Sequence, residues 1–251
     1  MANMEFHKPN YINTTTIIAV DAGNTGTAEF LIDKNTKLGF ISSGYDSTTS
    51  TVITVEFQAI RKISHVFIQN HNLKSFRVFY NSATANSLLS TTTNSATSTY
   101  LEFSTISVQS ISLQMDSTIN GSEEKQVGEF VVTERQYVFE RNPPIQSFKY
   151  KKDRKQIRHV MPDGGISLFN IQNKYNTKLK LEYFSQTSIN TLFSIYDEGN
   201  PVYFVPEPTT TGWLGEAFPC VWSGDFDFRY AENSKSVGYS GTINLEEESS
   251  T

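Results

Sequence analysis

Cysteine is nearly absent from this 251-residue chain, which contains Cys220 alone. A single thiol cannot form a disulfide within the chain, and it cannot assemble a zinc site from several thiolates. The fold must therefore be held together by packing. Because no histidine can be assigned as a base for Cys220, we expect a packed thiol and not a nucleophile.

The chain also lacks an excess of positive charge, since 21 Lys and Arg residues stand against 26 Asp and Glu residues. The formal net charge of −5 gives no sequence-wide attraction to nucleic acid. No run approaches the roughly 18 consecutive apolar residues of a membrane span. Met1–Asn10 has neither the basic head nor the apolar stretch of a signal peptide. We therefore expect no nucleic-acid partner, no membrane span and synthesis in a cytoplasm.

Histidine is scarce, and the sequence carries none of the common catalytic signatures. His7, His65, His71 and His159 do not stand in a metal-ligand spacing such as H-E-x-x-H, and no G-x-S-x-G elbow, P-loop or dinucleotide fingerprint occurs. His65 and His71 could converge through a hairpin. Two imidazoles without a nearby carboxylate make a poor metal site, however, so a core-edge His65 and a turn His71 fit better. We predict no metal, no cofactor and no catalytic residue.

Short β-branched and aromatic runs fill most of the chain from Thr14 onward, separated by Gly, Asn, Ser and Asp. This pattern predicts strands joined by turns. His65–Ile68 is apolar throughout, which is typical of a strand buried on both faces. Trp222–Tyr230 is predicted to be a single strand. Ser82–Thr99 is dominated by Ser, Thr, Asn and Ala, so we expect a long exposed loop there.

A domain boundary is predicted at Pro143, because consecutive prolines offer no backbone donor to a strand ladder. The two domains are then residues 1–142 and 143–251. A basic segment at 149–158 follows the boundary. It could contact a phosphate, an acidic subunit or nucleic acid, although a solvated connector or a strand with a charged outer face is the simpler interpretation.

One helix is predicted in the second domain, near residues 188–197. Apolar side chains there follow the helical spacing i, i+3, i+4 and i+7. Thr187 or Ser188 is a candidate N-cap, and Gly199 and Pro201 end the segment. The predicted fold class is all-β, with a first domain followed by a second β-rich domain that contains this short helix.

The first domain contains a series of short segments whose order is informative: Phe30–Asp33, Ser42–Ser43, Val52–Phe57, Ile63–Leu73, the strand with Phe76 and Tyr80, and Ile111–Leu113. From about Ala19 to Arg135 this series resembles the discoidin, or coagulation factor 5/8 C-type, module, a galactose-binding-like jelly roll. The chain departs from that family at Phe40-Ile41, where a tryptophan is often found, and in lacking both family cysteines. The resemblance implies a jelly-roll β-sandwich over residues 1–142.

Four further segments extend the resemblance over nearly the whole chain: His71–Leu73, Glu124–Glu129, Phe226–Tyr230 and Gly238–Glu246. Together they resemble tail-associated structural proteins of bacteriophages and prophages, in which such a module precedes a second β-rich domain. The resemblance implies an adaptor, hub or baseplate component of a virion tail. Its expected partners are other tail subunits in a homo-oligomeric assembly, and it allows contact with a host surface glycan.

Three functions follow, in order of preference. The first is the structural tail component, and the alternative is a stand-alone carbohydrate-binding module. By loop position alone, Tyr45, Asp46, His71 and Asn72 are the candidate sugar-binding residues. The third is a glycosidase using Asp225 and Asp227, which would share one strand face, although two carboxylates facing water explain this spacing better.

Overall fold

The computed structural model describes residues 3–13, 16–20, 28–34, 39–45, 49–81, 86–143, 149–161, 165–206, 217–233 and 237–248. Side chains are described at all of these positions except 17, 43–45, 149–157, 167–175 and 233. The strands in chain order are β1 (Glu5–His7), β2 (Ile17–Val20), β3 (Phe40–Tyr45), β4 (Thr51–His71), β5 (Leu73–Tyr80), β6 (Ser87–Thr91), β7 (Thr99–Thr118), β8 (Glu124–Thr133), β9 (Arg135–Val138), β10 (Lys149–Val160), β11 (Ile166–Phe184), β12 (Val202–Val205), β13 (Phe218–Ser223), β14 (Phe228–Tyr230) and β15 (Tyr239–Glu247).

Helices are few. Within the described residues there is one α-helix, α1 (Gln186–Glu198), and two single-turn 3-10 helices at Ala28–Leu31 and Ala231–Asn233. The fold-class prediction, all-β with one short helix, is confirmed. No helix in these ranges has the length and hydropathy of a membrane-spanning segment.

The chain divides into two compact units. Unit 1 comprises Met1–Val138, Tyr203–Ala217 and Ser250–Thr251, and unit 2 comprises Phe139–Val202 and Phe218–Ser249. The two units are not contiguous segments, because the chain returns to unit 1 at Tyr203. The return adds β12 to unit 1, where it pairs with β1 in antiparallel register.

Unit 1 is organised around a long antiparallel pair formed by β4 and β7. The first half of β4 pairs with β2, and the second half of β7 pairs with β5, which in turn pairs with β6. The second half of β4 pairs instead with β8, which pairs with β3. The two long strands therefore run through two half-sheets with different neighbours.

One apolar core lies between these half-sheets. Its fully buried residues come from both, including Ile53, Val55 and Leu113 from one half and Ile68 and Phe130 from the other. A core shared by two facing sheets is the arrangement of a β-sandwich. The second half of β4 is also covered on its outer face, where Phe67 packs with Val131, Tyr203 and Val205. The prediction of a strand buried on both faces at His65–Ile68 is thus confirmed.

The predicted long loop at Ser82–Thr99 is wrong in part, since Ser87–Thr91 forms strand β6 on the edge of β5. Leu88 and Leu89 pack against the sandwich core, and this burial favours an ordered strand. Residues 82–85 lie outside the described ranges.

Unit 2 contains the antiparallel ladder β10–β11–β15–β13, with β14 also paired to β15. The basic segment 149–158 forms most of edge strand β10. The predicted single strand Trp222–Tyr230 is wrong, because the backbone turns at Gly224 with φ of 82° and separates β13 from β14. A positive φ is readily adopted by glycine, which has no Cβ.

Helix α1 confirms the prediction near 188–197 and begins two residues earlier. Its N-cap is Ser185, whose hydroxyl accepts a hydrogen bond from the Ser188 amide at 3.2 Å. Ser188 itself lies inside the first turn, where its hydroxyl donates to Glu140 Oε1 at 2.6 Å. The helix ends at Gly199 in the left-handed conformation, as the sequence predicts. Ile189, Leu192 and Ile195 form its buried face.

Candidate functional site

A bulge between β4 and β7 shapes the candidate site in unit 1. Ile63 is paired with Ile106, but His65 is paired with Glu102, so one residue of β4 stands opposite three residues of β7. Such bulges bend the strand and redirect side chains. Here Ile63 and Val66 both belong to the sandwich core, whereas His65 lies beside Phe67 and Tyr100 on the opposite face. The bulge therefore turns His65 out of the apolar core.

Strand β1 brings two more polar residues to the same face. Glu5 and His7 are separated by one residue in an extended strand, so their side chains project in the same direction. The His7 ring contacts the rings of His65 and Phe67, with centroid separations of 4.5 Å and 5.2 Å. Phe6 points the other way and contacts Phe204.

Glu5 lies at the centre of a network that we call the polar cluster, formed by Glu5, His7, His65, Tyr100, Glu102 and Arg135. Glu5 Oε2 accepts hydrogen bonds from His7 Nε2 at 2.9 Å and from the Tyr100 hydroxyl at 2.8 Å. Arg135 Nη1 donates to Glu5 Oε1 at 3.0 Å and to Glu102 Oε1 at 2.6 Å. Charge-assisted hydrogen bonds of this kind are stronger than neutral ones.

Burial decides the charge states in the polar cluster. Burial lowers the pKa of His65 to about 3, with the neighbouring His7 lowering it further and Glu5 opposing. Burial also lowers the pKa of His7, although Glu5 acts against this. For Glu5, burial raises the pKa, but the hydrogen bond and charge of His7, the Tyr100 hydroxyl and Arg135 together bring it below its ordinary value. At neutral pH the cluster thus contains ionised Glu5 and two neutral imidazoles.

A cleft of about 500 Å³ opens beside the bulge, lined by Ser64, His65, Glu102, Phe103, Ser104, Thr105 and Arg135. Pockets for small ligands typically have volumes of roughly 300–1,000 Å³. The side chains of Glu102 and Arg135 are 51% and 34% exposed, so they form the accessible part of the polar cluster. His65 lies beneath them, with only 1% of its side chain exposed. The cleft can therefore offer a carboxylate, a guanidinium and hydroxyl groups to a ligand.

Two of the residues predicted as sugar ligands, His71 and Asn72, lie elsewhere in unit 1. His71 is buried, its Nδ1 accepting from the Leu73 amide and its Nε2 bonded to Thr99 Oγ1. The Asn72 side chain bonds to backbone groups of Glu124 and Gln126. The backbone of Tyr45 is paired with Glu124 at the start of β8, and the Asn72 side chain bonds to the same residue. The Tyr45 side chain and the whole of Asp46 lie outside the described parts of the chain. The role of all four residues in sugar binding stays a prediction.

Two other sequence-based expectations concern unit 2. Asp225 and Asp227 are exposed, and Asp227 is held by Arg229, whose Nε and Nη2 donate to its two oxygens at 3.1 Å. The expectation that they face water is confirmed. Cys220 is buried, and burial raises the pKa of its thiol, so the packed-thiol expectation is confirmed too.

Sequence reasoning missed Glu5, His7, Glu102 and Arg135. One signal was present, because the E-x-H spacing of Glu5 and His7 places two potential ligands on one face of any strand. Their meeting with His65 depends on a side-chain contact between His7 and His65, which are 58 residues apart in the sequence, and no local pattern encodes it.

No protein-family profile matches this chain, and no curated protein sequence matches it. Solved structures similar to part of it include chitosan-binding module 1 of a chitosanase/glucanase from Paenibacillus sp. IK-5, with a TM-score of 0.42 and 14% identity over 51% of this chain and 99% of that chain. Another is the family 32 carbohydrate-binding module of NanJ from Clostridium perfringens, solved with galactose, with a TM-score of 0.41 and 15% identity over 51% of this chain and 99% of that chain. A GH29 fucosidase from Ruminococcus gnavus is also similar, with a TM-score of 0.43 and 17% identity. The match covers 52% of this chain and 27% of the fucosidase chain.

Proposed function

We propose that this protein binds carbohydrate without catalysing its hydrolysis, and that the cleft beside the bulge is the binding site. The observation that carries this proposal is the composition of the cleft lining. An exposed carboxylate, a guanidinium and the hydroxyls of Ser104 and Thr105 surround a volume suited to a sugar residue.

The chemistry of a sugar ring matches this lining. Adjacent hydroxyls both donate and accept, so a carboxylate such as Glu102 can accept from them while Arg135 donates to them. Glu102 and Arg135 are already bonded to each other at 2.6 Å, which holds both groups in place before a ligand arrives. Preorganised groups lose less conformational entropy on binding.

The arrangement of carboxylates favours binding over hydrolysis. Glycosidases generally use a pair of carboxyl groups on either side of the scissile bond. Among the residues that line the cleft, Glu102 supplies the carboxylate, while Glu5 lies buried behind it with both oxygens bonded to Arg135, Tyr100 and His7. Glu5 is therefore poorly placed to act on a bound sugar.

The test is a glycan array followed by isothermal titration of the best hit with the purified protein. We expect saturable binding that Glu102→Gln weakens by about tenfold, because it removes a charged acceptor worth about 1.5 kcal/mol. Glu56→Gln, at an exposed position of β4 outside the cleft, is the matched control and should leave the affinity unchanged. An array without any hit, or equal affinity for Glu102→Gln and the wild type, would refute the proposal.

A second candidate function is structural, and a different observation favours it. The hairpin of β10 and β11 ends in exposed apolar side chains, with Val160, Met161 and Ile166 exposed by 59%, 44% and 53%. Val160 and Ile166 are paired across the hairpin, and the Met161 amide bonds to the Gly165 carbonyl at 2.7 Å. Clustered exposed apolar groups often mark protein contacts. They support docking to another subunit, as expected of a homo-oligomeric virion tail component.

Sedimentation velocity tests the structural role. We expect concentration-dependent association of the wild type that Val160→Ser combined with Met161→Ser abolishes. Val237→Ser, at another exposed apolar position of unit 2, should have no effect. A wild-type protein that stays monomeric at high concentration and is absent from purified virions would contradict this role.

A further inference from the structure

Three potential metal ligands converge in the buried part of the polar cluster. Glu5, His7 and His65 each place one ligand atom within 4.8 Å of those of the other two. Glu5 Oε2 lies 2.9 Å from His7 Nε2 and 3.9 Å from His65 Nε2. Two atoms that each bind the same ion at the bond lengths of zinc, about 2.1 Å, are at most about 4.2 Å apart. The separations of Glu5 Oε2 from His7 Nε2 and from His65 Nε2 are both within this limit.

The two nitrogens of His65 have different surroundings, which gives a second and independent observation. Nδ1 is 2.7 Å from Ser64 Oγ, whereas Nε2 is buried without a hydrogen-bond partner among the described residues. Nε2 faces Glu5 and Glu102, whose nearest oxygens are 3.9 Å and 4.0 Å away. Metal-binding histidines typically bond through one nitrogen while the other donates to a protein group. Ser64 is placed to accept from Nδ1 in this way.

We propose that Glu5 Oε2, His7 Nε2 and His65 Nε2 bind a divalent transition-metal ion of the zinc type. Two imidazole nitrogens and one carboxylate oxygen suit Zn²⁺ better than Ca²⁺ or Mg²⁺, which prefer oxygen ligands. The fourth position faces Glu102 and the cleft, and either the Glu102 carboxylate or a water molecule completes a tetrahedral set. Arg135 and Tyr100 then hold the carboxylate of Glu5 from outside the coordination sphere.

Binding requires a proton to move within His7. Without metal, His7 Nε2 carries the proton that is donated to ionised Glu5. With metal, Nε2 bonds to the ion through its lone pair, and the proton resides on Nδ1. The His7 ring stays neutral in both states, so this exchange of tautomers releases no proton. Nδ1 has no hydrogen-bond partner among the described residues, so the shift breaks only the hydrogen bond from Nε2 to Glu5, which the bond to the metal replaces.

This inference does not rest on carbohydrate binding. It concerns Glu5 and His7, which do not line the cleft, and its probe is the metal ion alone. A protein that binds Zn²⁺ but no glycan would support the metal site and refute the proposed function. A protein that binds a glycan but no Zn²⁺ would support the proposed function and refute the metal site.

The first experiment follows the imidazole nitrogens by NMR. Chelator-treated, ¹⁵N-labelled protein is titrated with ZnCl₂, and the ring nitrogens of its four histidines are recorded. We expect saturation at one Zn²⁺ per chain, with large shifts for His7 and His65 and none for His71, which is buried with both ring nitrogens bonded. Because the wild type is used, no variant has to fold. Unchanged His7 and His65 signals at millimolar Zn²⁺ would overturn the proposal.

The second experiment measures affinity by competition with a chromophoric chelator. His65→Gln should weaken Zn²⁺ binding by at least roughly tenfold, since it removes a ligand. His159→Gln removes an exposed histidine from unit 2 and should leave the affinity unchanged. Co²⁺ should give the intense visible absorption of a four-coordinate site in the wild type and lose it in His65→Gln. Affinity that is equal in the two variants, or lost only in His159→Gln, would assign the ion to another place and refute the proposal.

Discussion

Protonation of buried histidines should destabilise this protein well above the pH at which carboxylates titrate, and His71 provides the cleanest case. This residue is 2% exposed, and burial is the one cause of its lowered pKa, with no contribution from the ionised groups of the polar cluster. Because Nδ1 accepts from the Leu73 amide, Nε2 carries the proton and donates to Thr99 Oγ1 at 2.9 Å. A second proton on Nδ1 would break the bond from Leu73 and place a charge in the interior.

The sign follows from the direction of the pKa shift. Burial lowers the pKa of folded His71 to about 4, while in the unfolded chain it is about 6.5. Between these values the unfolded state binds more protons, so the free energy of unfolding falls as the pH falls from about 6.5 to about 4. At pH 5 the loss from His71 is about 2 kcal/mol relative to pH 7. His65, with a folded pKa of about 3, should add about 2 kcal/mol.

Urea unfolding followed by far-ultraviolet circular dichroism at pH 7, 6 and 5 measures this loss, with EDTA present to exclude metal. Between pH 7 and pH 5 the free energy of unfolding of the wild type should fall by about 4 kcal/mol because of His65 and His71 together. This is a large part of the roughly 5–15 kcal/mol that is typical of a folded domain. His71→Gln should reduce the loss by about 2 kcal/mol whatever its stability at pH 7. His159→Gln, which removes an exposed histidine, should leave it unchanged. Identical pH dependence in His71→Gln and the wild type would refute the reasoning.

Three substitutions, each within one unit, test local contacts by urea unfolding at pH 7. Gly241→Ala should destabilise by about 1–3 kcal/mol, because a Cβ there lies 2.6 Å from a backbone oxygen, whereas Gly121→Ala, with open space around it, should change little. Tyr203→Phe should cost about 1.5–3 kcal/mol by removing the 2.7 Å hydrogen bond to buried Glu129. Ser185→Ala should cost about 1 kcal/mol by removing the N-cap of α1. Equal stability for Gly241→Ala and Gly121→Ala, or a cost below about 0.5 kcal/mol for Tyr203→Phe or Ser185→Ala, would contradict these assignments.

The elements that were predictable from sequence are those that depend on neighbouring residues. The run His65–Ile68 indicated a strand covered on both faces, and the helical spacing from Ile189 to Tyr196 indicated α1. Errors arose where one residue or a distant partner overrides the pattern. Gly224 divides an apparently continuous strand, and the core of unit 1 orders Leu88 and Leu89 in a segment whose composition suggests a loop.

The candidate site was unpredictable for a similar reason. Its residues come from four strands, β1, β4, β7 and β9, and they meet only because the bulge at Ser64 turns His65 away from the core. A strict alternation along β4 would instead place His65 and Ile63 on the same face. The sequence shows the histidines and acids, but the register of β4 against β7 decides which of them meet.

The energetic cost of the polar cluster indicates that stability alone does not account for it. Removing charged groups such as Glu5 from water is unfavourable, and buried ion pairs are often no more stabilising than well-packed apolar residues of similar volume. The same face of unit 1 also contains an apolar cluster, in which Phe67 packs with Val131, Tyr203 and Val205. A few ångströms away this packing gives way to ionised Glu5 and two neutral imidazoles beside an open cleft. Titratable groups perturbed by burial next to a cleft are typical of binding sites, and we therefore expect function to reside at this bulge.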